Sequence, residues 1–283
     1  MFKINLNALV SATTAISKGL KKGHTVVICP SLPPGTTEKL VKEILEKHSK
    51  LKAEKDFNLI YNPERIFEGR ALQDIEENYP AIVSGYGPKS LKFADELLKI
   101  ISKKGTLKMT SLANAEAEKL FEGVYRDVNI ALANELSEYC EQIGVNYWDA
   151  RKGANSQPYC HLHYPGTGVG GLCIPVYPKF VIESSKKIGK HVKLIEYSRK
   201  INDQKPKKCV QDALSLFKNN VKGIKVAVLG LGFRGEVTDS RLSPTYTVVN
   251  ELLKKQCNVI VHDPYIFEDN NLPKKVKLTK DFS

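Results

Sequence analysis

The stretch Lys225-Val-Ala-Val-Leu-Gly-Leu-Gly-Phe-Arg-Gly235 sets the fold class. An apolar run after Lys222-Gly223 predicts a strand, and glycines at 230, 232 and 235 predict a tight loop at its carboxyl end. Asp263 closes the next apolar run, Val259-Ile-Val-His-Asp263, as the acidic residue of a dinucleotide fingerprint would. The continuation departs from that pattern. Glu-Val-Thr-Asp-Ser-Arg-Leu-Ser follows Gly235, and Pro244 places the next helix only near Thr245. A pyrophosphate loop normally runs straight into a helix N-terminus. The glycines therefore admit a dinucleotide site, a site for another ligand, or a plain strand-to-loop turn.

Upstream, the same alternation of elements recurs. Residues 8–20 read as a helix ending at Lys21-Lys22-Gly23, followed by the strand Thr25-Val-Val-Ile-Cys29. The turn Leu32-Pro-Pro-Gly-Thr-Thr37 leads to a helix over 38–48, with Thr36 or Thr37 expected as N-cap. Phe57-Asn-Leu-Ile-Tyr61 and Ala81-Ile-Val-Ser84 read as two more strands separated by a long polar loop. Residues 112–143 form one long helix by their apolar spacing, a spine between domains or a dimer face. A loop over 156–178 precedes a helical region running from Phe180 to about Asn219. The fold class is α/β. Three parts are expected: 1–110, 111–220 and 221–283, the first and last being partial Rossmann-like domains around a central long-helix region.

Composition narrows the function classes. The 283 residues carry 43 Lys and Arg against 31 Asp and Glu, a net charge of +12. The lysines recur in pairs along amphipathic helices rather than clustering with aromatics, so a solvated surface is expected and no nucleic-acid partner. No apolar run reaches membrane-span length and no signal-peptide pattern opens the chain. The six cysteines lack paired short spacings, which argues against a disulfide framework or a metal site and for a reducing cytoplasm.

One cysteine stands apart. In Gly166-Thr-Gly-Val-Gly-Gly-Leu-Cys173-Ile-Pro-Val-Tyr-Pro178 it ends a glycine-rich loop, where small residues let backbone close on a ligand and present the thiol. A nucleophile is the reading preferred to a small buried hydrophobe.

Five segments line up in chain order: Pro33-Pro-Gly-Thr-Thr37; Asn62-Pro-Glu-Arg65 with Glu68-Gly69; Ala115-Glu-Ala-Glu-Lys119 through Tyr125-Arg-Asp-Val-Asn-Ile-Ala131; the Cys173 loop; and Phe233-Arg-Gly-Glu-Val-Thr-Asp-Ser-Arg241-Leu-Ser-Pro244. Together they resemble the UDP-glucose/GDP-mannose dehydrogenase family, in particular its branch acting on UDP-N-acetylhexosamines. The resemblance implies a two-step oxidation of a UDP-sugar, UDP-N-acetylmannosamine or UDP-N-acetylglucosamine, at C6 to the uronate with NAD. It implies Cys173 as the thiohemiacetal- and thioester-forming nucleophile, Lys119 as proton donor and oxyanion stabiliser, and Glu64 as the group acting on the hydrolytic water. It places Arg65, Ile66, Arg126, Gly170, Phe233 and Arg234 at the substrate, and Ser31 and Arg241 at NAD. It also implies a homo-oligomer formed through the long helix. Read without the resemblance, Lys119 is one more solvated lysine, Glu64 a turn carboxylate, and Arg126 a helical partner of Glu122.

The chain departs from the family pattern at several points. The family's first glycine fingerprint lies upstream of the Pro-Pro-Gly-Thr-Thr turn, and its last domain extends beyond Asp263, so a chain truncated at both ends is expected. Gly123 stands where the family carries an asparagine, Tyr177 where an aspartate is common, and Leu172 where histidine is frequent. The competing expectation is a non-catalytic remnant that binds nucleotide sugar or oligomerises.

Overall fold

The computed structural model describes residues 3–217 and 221–281. The chain divides into two compact units, Met1–Glu122 with Lys179–His191, and Gly123–Pro178 with Val192–Ser283.

The first unit is built on a mixed sheet of β1 (Thr25–Ile28), β2 (Asn58–Tyr61), β3 (Ala81–Gly85) and β4 (Thr106–Lys108), in that order. β1 and β2 are parallel, with Thr25 opposite Asn58 and Ile28 opposite Tyr61. β2 and β3 are antiparallel, and β3 and β4 parallel. Every residue of β2 is buried, which explains a run without polar alternation. Helices α1 (Asn7–Gly19), α2 (Lys42–Ser49), α3 (Ala71–Gln73) and α4 (Pro88–Ile101) belong to this unit. Its core joins Val26, Ile28, Leu45, Phe57 and Leu59 to Leu112 and Ala115, at the start of α5 (Leu112–Gln142).

Two local expectations change here, and one strand is added. A π-helical turn, Thr37–Val41, opens α2, and neither threonine caps it. Thr36 already has helical angles, and its hydroxyl donates to the Pro33 carbonyl at 2.6 Å. The polar loop before β3 contains α3 and a second π-helical turn, Asp74–Asn78. β4 lay outside the reading, three residues being too few to show a period.

The second unit holds most of α5, α6 (Tyr147–Ala154) and α8 (Lys193–Ser215), with α7 (Tyr177–Lys187) beginning in it. Asn146 caps α6, its side-chain oxygen accepting the Trp148 N–H at 2.9 Å. The helical run expected from 180 onward is two helices. Gly189, at φ +69°, lies in the break between α7 and α8, and Asn219 lies outside the described residues. An all-parallel sheet of β5 (Lys225–Leu229), β6 (Asn258–His262) and β7 (Lys277–Thr279) follows, with α9 (Pro244–Lys254) joining β5 to β6. Ser243 caps α9 and Pro244 occupies its first turn. Leu214, Leu231, Val249, Leu252 and Val261 form the core of this unit.

Candidate functional site

In the first unit the Pro33–Thr37 turn is organised by a residue of α5. Gly35, at φ +88°, turns the backbone so that its N–H donates to Glu116 Oε2 at 2.5 Å. The Thr37 N–H and hydroxyl both donate to Glu116 Oε1, at 2.7 and 2.6 Å. Glu116 is fully buried. Burial pushes its carboxyl up, against the opposing effect of the Thr37 hydroxyl and the turn's N–H groups. Ser31 is half-buried just beyond the carboxyl end of β1.

The Asn62-Pro-Glu-Arg65 segment meets the same helix one turn later. Arg65 Nε donates to Glu122 Oε1 at 2.8 Å and lies 3.5 Å from Glu118 Oε1, while the guanidinium sits 4.8 Å from the Tyr79 ring centroid. Glu118 is pushed up to about 7 by burial and then by the neighbouring Glu122 charge. Glu64 is exposed, and its carboxylate accepts the Ile66 N–H, closing its own turn. Glu64, Arg65 and Ile66 line one cavity of about 290 Å³ together with Cys29, Asn62 and Tyr79. Lys119 is only 6% exposed, so it is not one of the solvated lysines.

In the second unit Cys173 is exposed at the end of its loop. Three of the four glycines before it, at 168, 170 and 171, are required by protein contacts, while Gly166 has open space beside it. A Cβ on Gly170 would lie 2.6 Å from Phe233 Cβ, one on Gly171 2.9 Å from the Phe233 ring, and one on Gly168 2.9 Å from Pro206. The Gly171 N–H donates to the Arg241 carbonyl at 3.0 Å. The loop therefore closes on the 233–244 segment, and Gly170 and Phe233, both expected at the substrate, pack on each other.

A buried polar chain holds the start of the loop. The Gly166 N–H donates to Asn134 Oδ1 at 2.9 Å, and Asn134 Nδ2 donates to Asn202 Oδ1 at 3.4 Å. Asn202 Nδ2 donates to the Asp127 carbonyl and carboxylate at 2.8 and 2.9 Å, and Arg199 Nη1 donates to the same carboxylate. All four side chains are buried. Sequence reading missed Glu116, Asn134, Arg199 and Asn202. The available signal was polar residues on otherwise core-facing helix positions, Asp127 and Asn134 one heptad apart.

The Gly230 loop has an internal occupant. Asp263 Oδ2 accepts the Leu231 and Gly232 N–H groups at 2.7 and 2.9 Å, and Oδ1 accepts those of Tyr265 and Ile266 at 2.8 and 3.0 Å. Burial raises this carboxyl, yet the four N–H groups together hold it below the usual range. An aspartate stands where a pyrophosphate would be received, which favours the plain turn over a dinucleotide site. Arg241 is paired with Asp239, Nε lying 2.9 Å from both carboxylate oxygens. Arg126 is exposed on α5 and Arg234 half-buried after the Gly230 loop.

Three models of one family match the chain: the UDP-glucose/GDP-mannose dehydrogenase family NAD binding domain over residues 2–102, central domain over 113–204, and UDP binding domain over 227–283. A UDP-N-acetyl-D-mannosamine dehydrogenase of Methanococcus maripaludis is 36% identical over 93% of the chain and 58% of its own length. Among solved structures, a UDP-D-ManNAc dehydrogenase of Pyrococcus horikoshii superposes with TM-score 0.86 at 34% identity, covering 93% of this chain and 62% of that one. A UDP-glucose dehydrogenase of Pyrobaculum islandicum gives TM-score 0.90 at 26% identity, covering 98% and 64%. The chain spans about three-fifths of the length of these relatives.

Proposed function

The chain belongs to the UDP-glucose/GDP-mannose dehydrogenase family, and from that premise we propose that it carries the catalytic cysteine of an NAD-dependent UDP-N-acetylhexosamine 6-dehydrogenase. The observation that carries this reading is the exposure of Cys173 on a loop whose backbone is fixed at Gly166 and Gly171. Residues 1–110 are the NAD-binding portion in this reading, 111–220 the central region with the cysteine loop, and 221–283 the UDP-sugar-binding portion. No described helix is long and apolar enough to cross a membrane, and the cytoplasm is the proposed location. Tyr125, Leu132 and Tyr139, exposed at heptad spacing on α5, are the proposed contact between copies.

The Gly230 loop does not fit NAD, and the proposed contacts lie elsewhere. The Gly230 loop has its N–H groups engaged by Asp263. Ser31 stands instead beyond the carboxyl end of a strand in a parallel pair, where open α/β sheets bind ligands, with Arg241 the second proposed contact. When bound, NAD+ would supply the hydride acceptor for both oxidations, two per uronate formed. Cys173 Sγ adds to the C6 aldehyde left by the first oxidation, and the carbonyl oxygen takes up a proton to give a thiohemiacetal. Lys119 serves as the proton donor for that oxygen and stabilises its charge. The second hydride loss, with release of the hydroxyl proton, leaves a Cys173 thioester. Glu64 orients the water that attacks it, yielding the carboxylate and the free thiol. Arg65, Ile66, Arg126, Gly170, Phe233 and Arg234 are proposed to hold the sugar nucleotide.

The second reading is a nucleotide-sugar-binding or oligomer-forming remnant. It is favoured by Gly123, beside which the Tyr177 ring leaves no room for a side-chain donor. Titration of the chain with NAD+ and, separately, with UDP-N-acetylmannosamine and UDP-N-acetylglucosamine, followed by NADH absorbance, separates the two. Dehydrogenase function predicts NADH formation that Cys173→Ala removes at the acid-forming stage. Sugar-nucleotide binding with neither NAD+ binding nor NADH would establish the remnant.

A further inference from the structure

Gly123 stands inside α5, where glycine weakens a helix relative to alanine. The reason for it lies across the unit. A Cβ at this position would fall 2.5 Å from Tyr177 Cδ2 and 3.1 Å from both Cβ and Cγ of that residue. Two of these three atoms lie at the base of the side chain, so turning the ring moves Cδ2 away but leaves Cβ and Cγ in tight contact at 3.1 Å. Tyr177 is itself 6% exposed, and Pro175 and Pro178 on either side of it are buried. Its backbone N–H donates to the Cys173 carbonyl at 2.9 Å, and the Val176 N–H donates to the same oxygen at 3.1 Å. The ring that fills the notch at Gly123 therefore belongs to the turn that begins at the cysteine.

We infer that Tyr177 is a positioning residue for Cys173, its ring seated in the notch that Gly123 leaves in α5 so that the 173–177 turn is held in one geometry. The assignment rests on the reading of Cys173 as the nucleophile for its functional meaning. Its geometric content is independent of turnover. The contact with Gly123 runs through Cβ, Cγ and Cδ2, so the ring is the part that fills the notch, and the phenylalanine variant retains that contact.

The test is the rate of iodoacetamide alkylation of Cys173 in the purified chain, read by peptide mass spectrometry with Cys160 as internal reference. Gly123→Ala and Tyr177→Ala each release the turn and raise the Cys173 rate by about fivefold, on the scale of one lost packing contact, while the Cys160 rate holds. Tyr177→Phe, which keeps the ring in the notch, stays well below the Tyr177→Ala rate. On the wild type Gly123→Ala lowers Tm, whereas placed on Tyr177→Ala it adds nothing to the rate and raises Tm, because the gain in helix propensity is realised once the ring is gone. A wild-type Cys173 rate in Gly123→Ala, or additive effects of the two changes, overturns the inference. Should Gly123→Ala not fold, equal rates for Tyr177→Ala and Tyr177→Phe overturn it. The nucleophile reading fails separately, by persistence of acid formation in Cys173→Ala.

Discussion

Glu116 Oε1 accepts both the backbone N–H and the hydroxyl of Thr37, a residue 79 positions earlier in the chain. Glu116→Ala leaves those donors and the Gly35 N–H buried without their acceptor. The expected cost is about 2–4 kcal/mol, with Glu116→Gln losing roughly half as much, since neutral hydrogen bonds are about half as strong as charge-assisted ones. Urea denaturation midpoints measure both. A change within about 0.5 kcal/mol for the alanine variant, the range of ordinary surface substitutions, would mean that the carboxylate does not organise this turn.

The Asp127–Arg199 pair makes the corresponding demand in the second unit. Both side chains are buried, and Asp127→Ala leaves the Arg199 guanidinium only the exposed Asp203 carboxylate, 3.2 Å from Nη2, at a cost of roughly 3 kcal/mol. Pairing it with Arg199→Met recovers part of that loss, because the buried charge is then gone. Amide exchange at Gly166 should accelerate in the single variant, since its acceptor Asn134 is held through Asn202. Unchanged exchange would separate the polar chain from the loop.

Glu118 gives the chain a specific pH response. Its carboxyl sits at about 7 in the fold against an ordinary 4.5, so the folded state holds a proton that the unfolded state releases. The contribution is full below about 4.5 and is lost as pH rises through about 7. Glu118→Gln should match the wild-type Tm near pH 5 and exceed it near pH 8, by a few degrees at most because the group is partly solvated. A wild-type advantage at the higher pH would show that Arg65 outweighs burial.

Leu132→Glu puts a charge in the centre of the exposed Tyr125, Leu132, Tyr139 stripe. If copies of the chain meet there, sedimentation velocity should show an oligomer for the wild type and a monomer for the variant, with no loss of Tm beyond that of dissociation. An oligomer that survives the charge places the interface elsewhere.

What the sequence made legible was local. The long helix ends within a residue of its periodicity limits, and Lys225–Leu229 is the strand its apolar run implies, because both are determined by neighbours a few positions away. What it hid were partners fixed by the chain's return. Thr37 has the composition of an N-cap, yet the carboxylate of Glu116 takes its N–H group. The glycines before Cys173 announced close approach without saying to what, and Phe233 and Pro206 are the answer. Asp263 carried the spacing of a ribose ligand, but its carboxylate faces the backbone of its own fold. Lys119 shows the opposite case, a residue that composition assigns to the surface and that folding buries.

The fit of Tyr177 into the gap at Gly123 also constrains how this chain can drift over evolutionary time. A side chain cannot enter position 123 while the ring is present, and removing the ring first opens a cavity beside the cysteine turn. Each order of events passes through a less stable protein, so the two positions form an epistatic pair whose states change hands together. Close descendants of this sequence should keep glycine at 123 together with an aromatic ring at 177, or neither, and deep mutational scanning should find position 123 intolerant alone and position 177 tolerant of little but another ring.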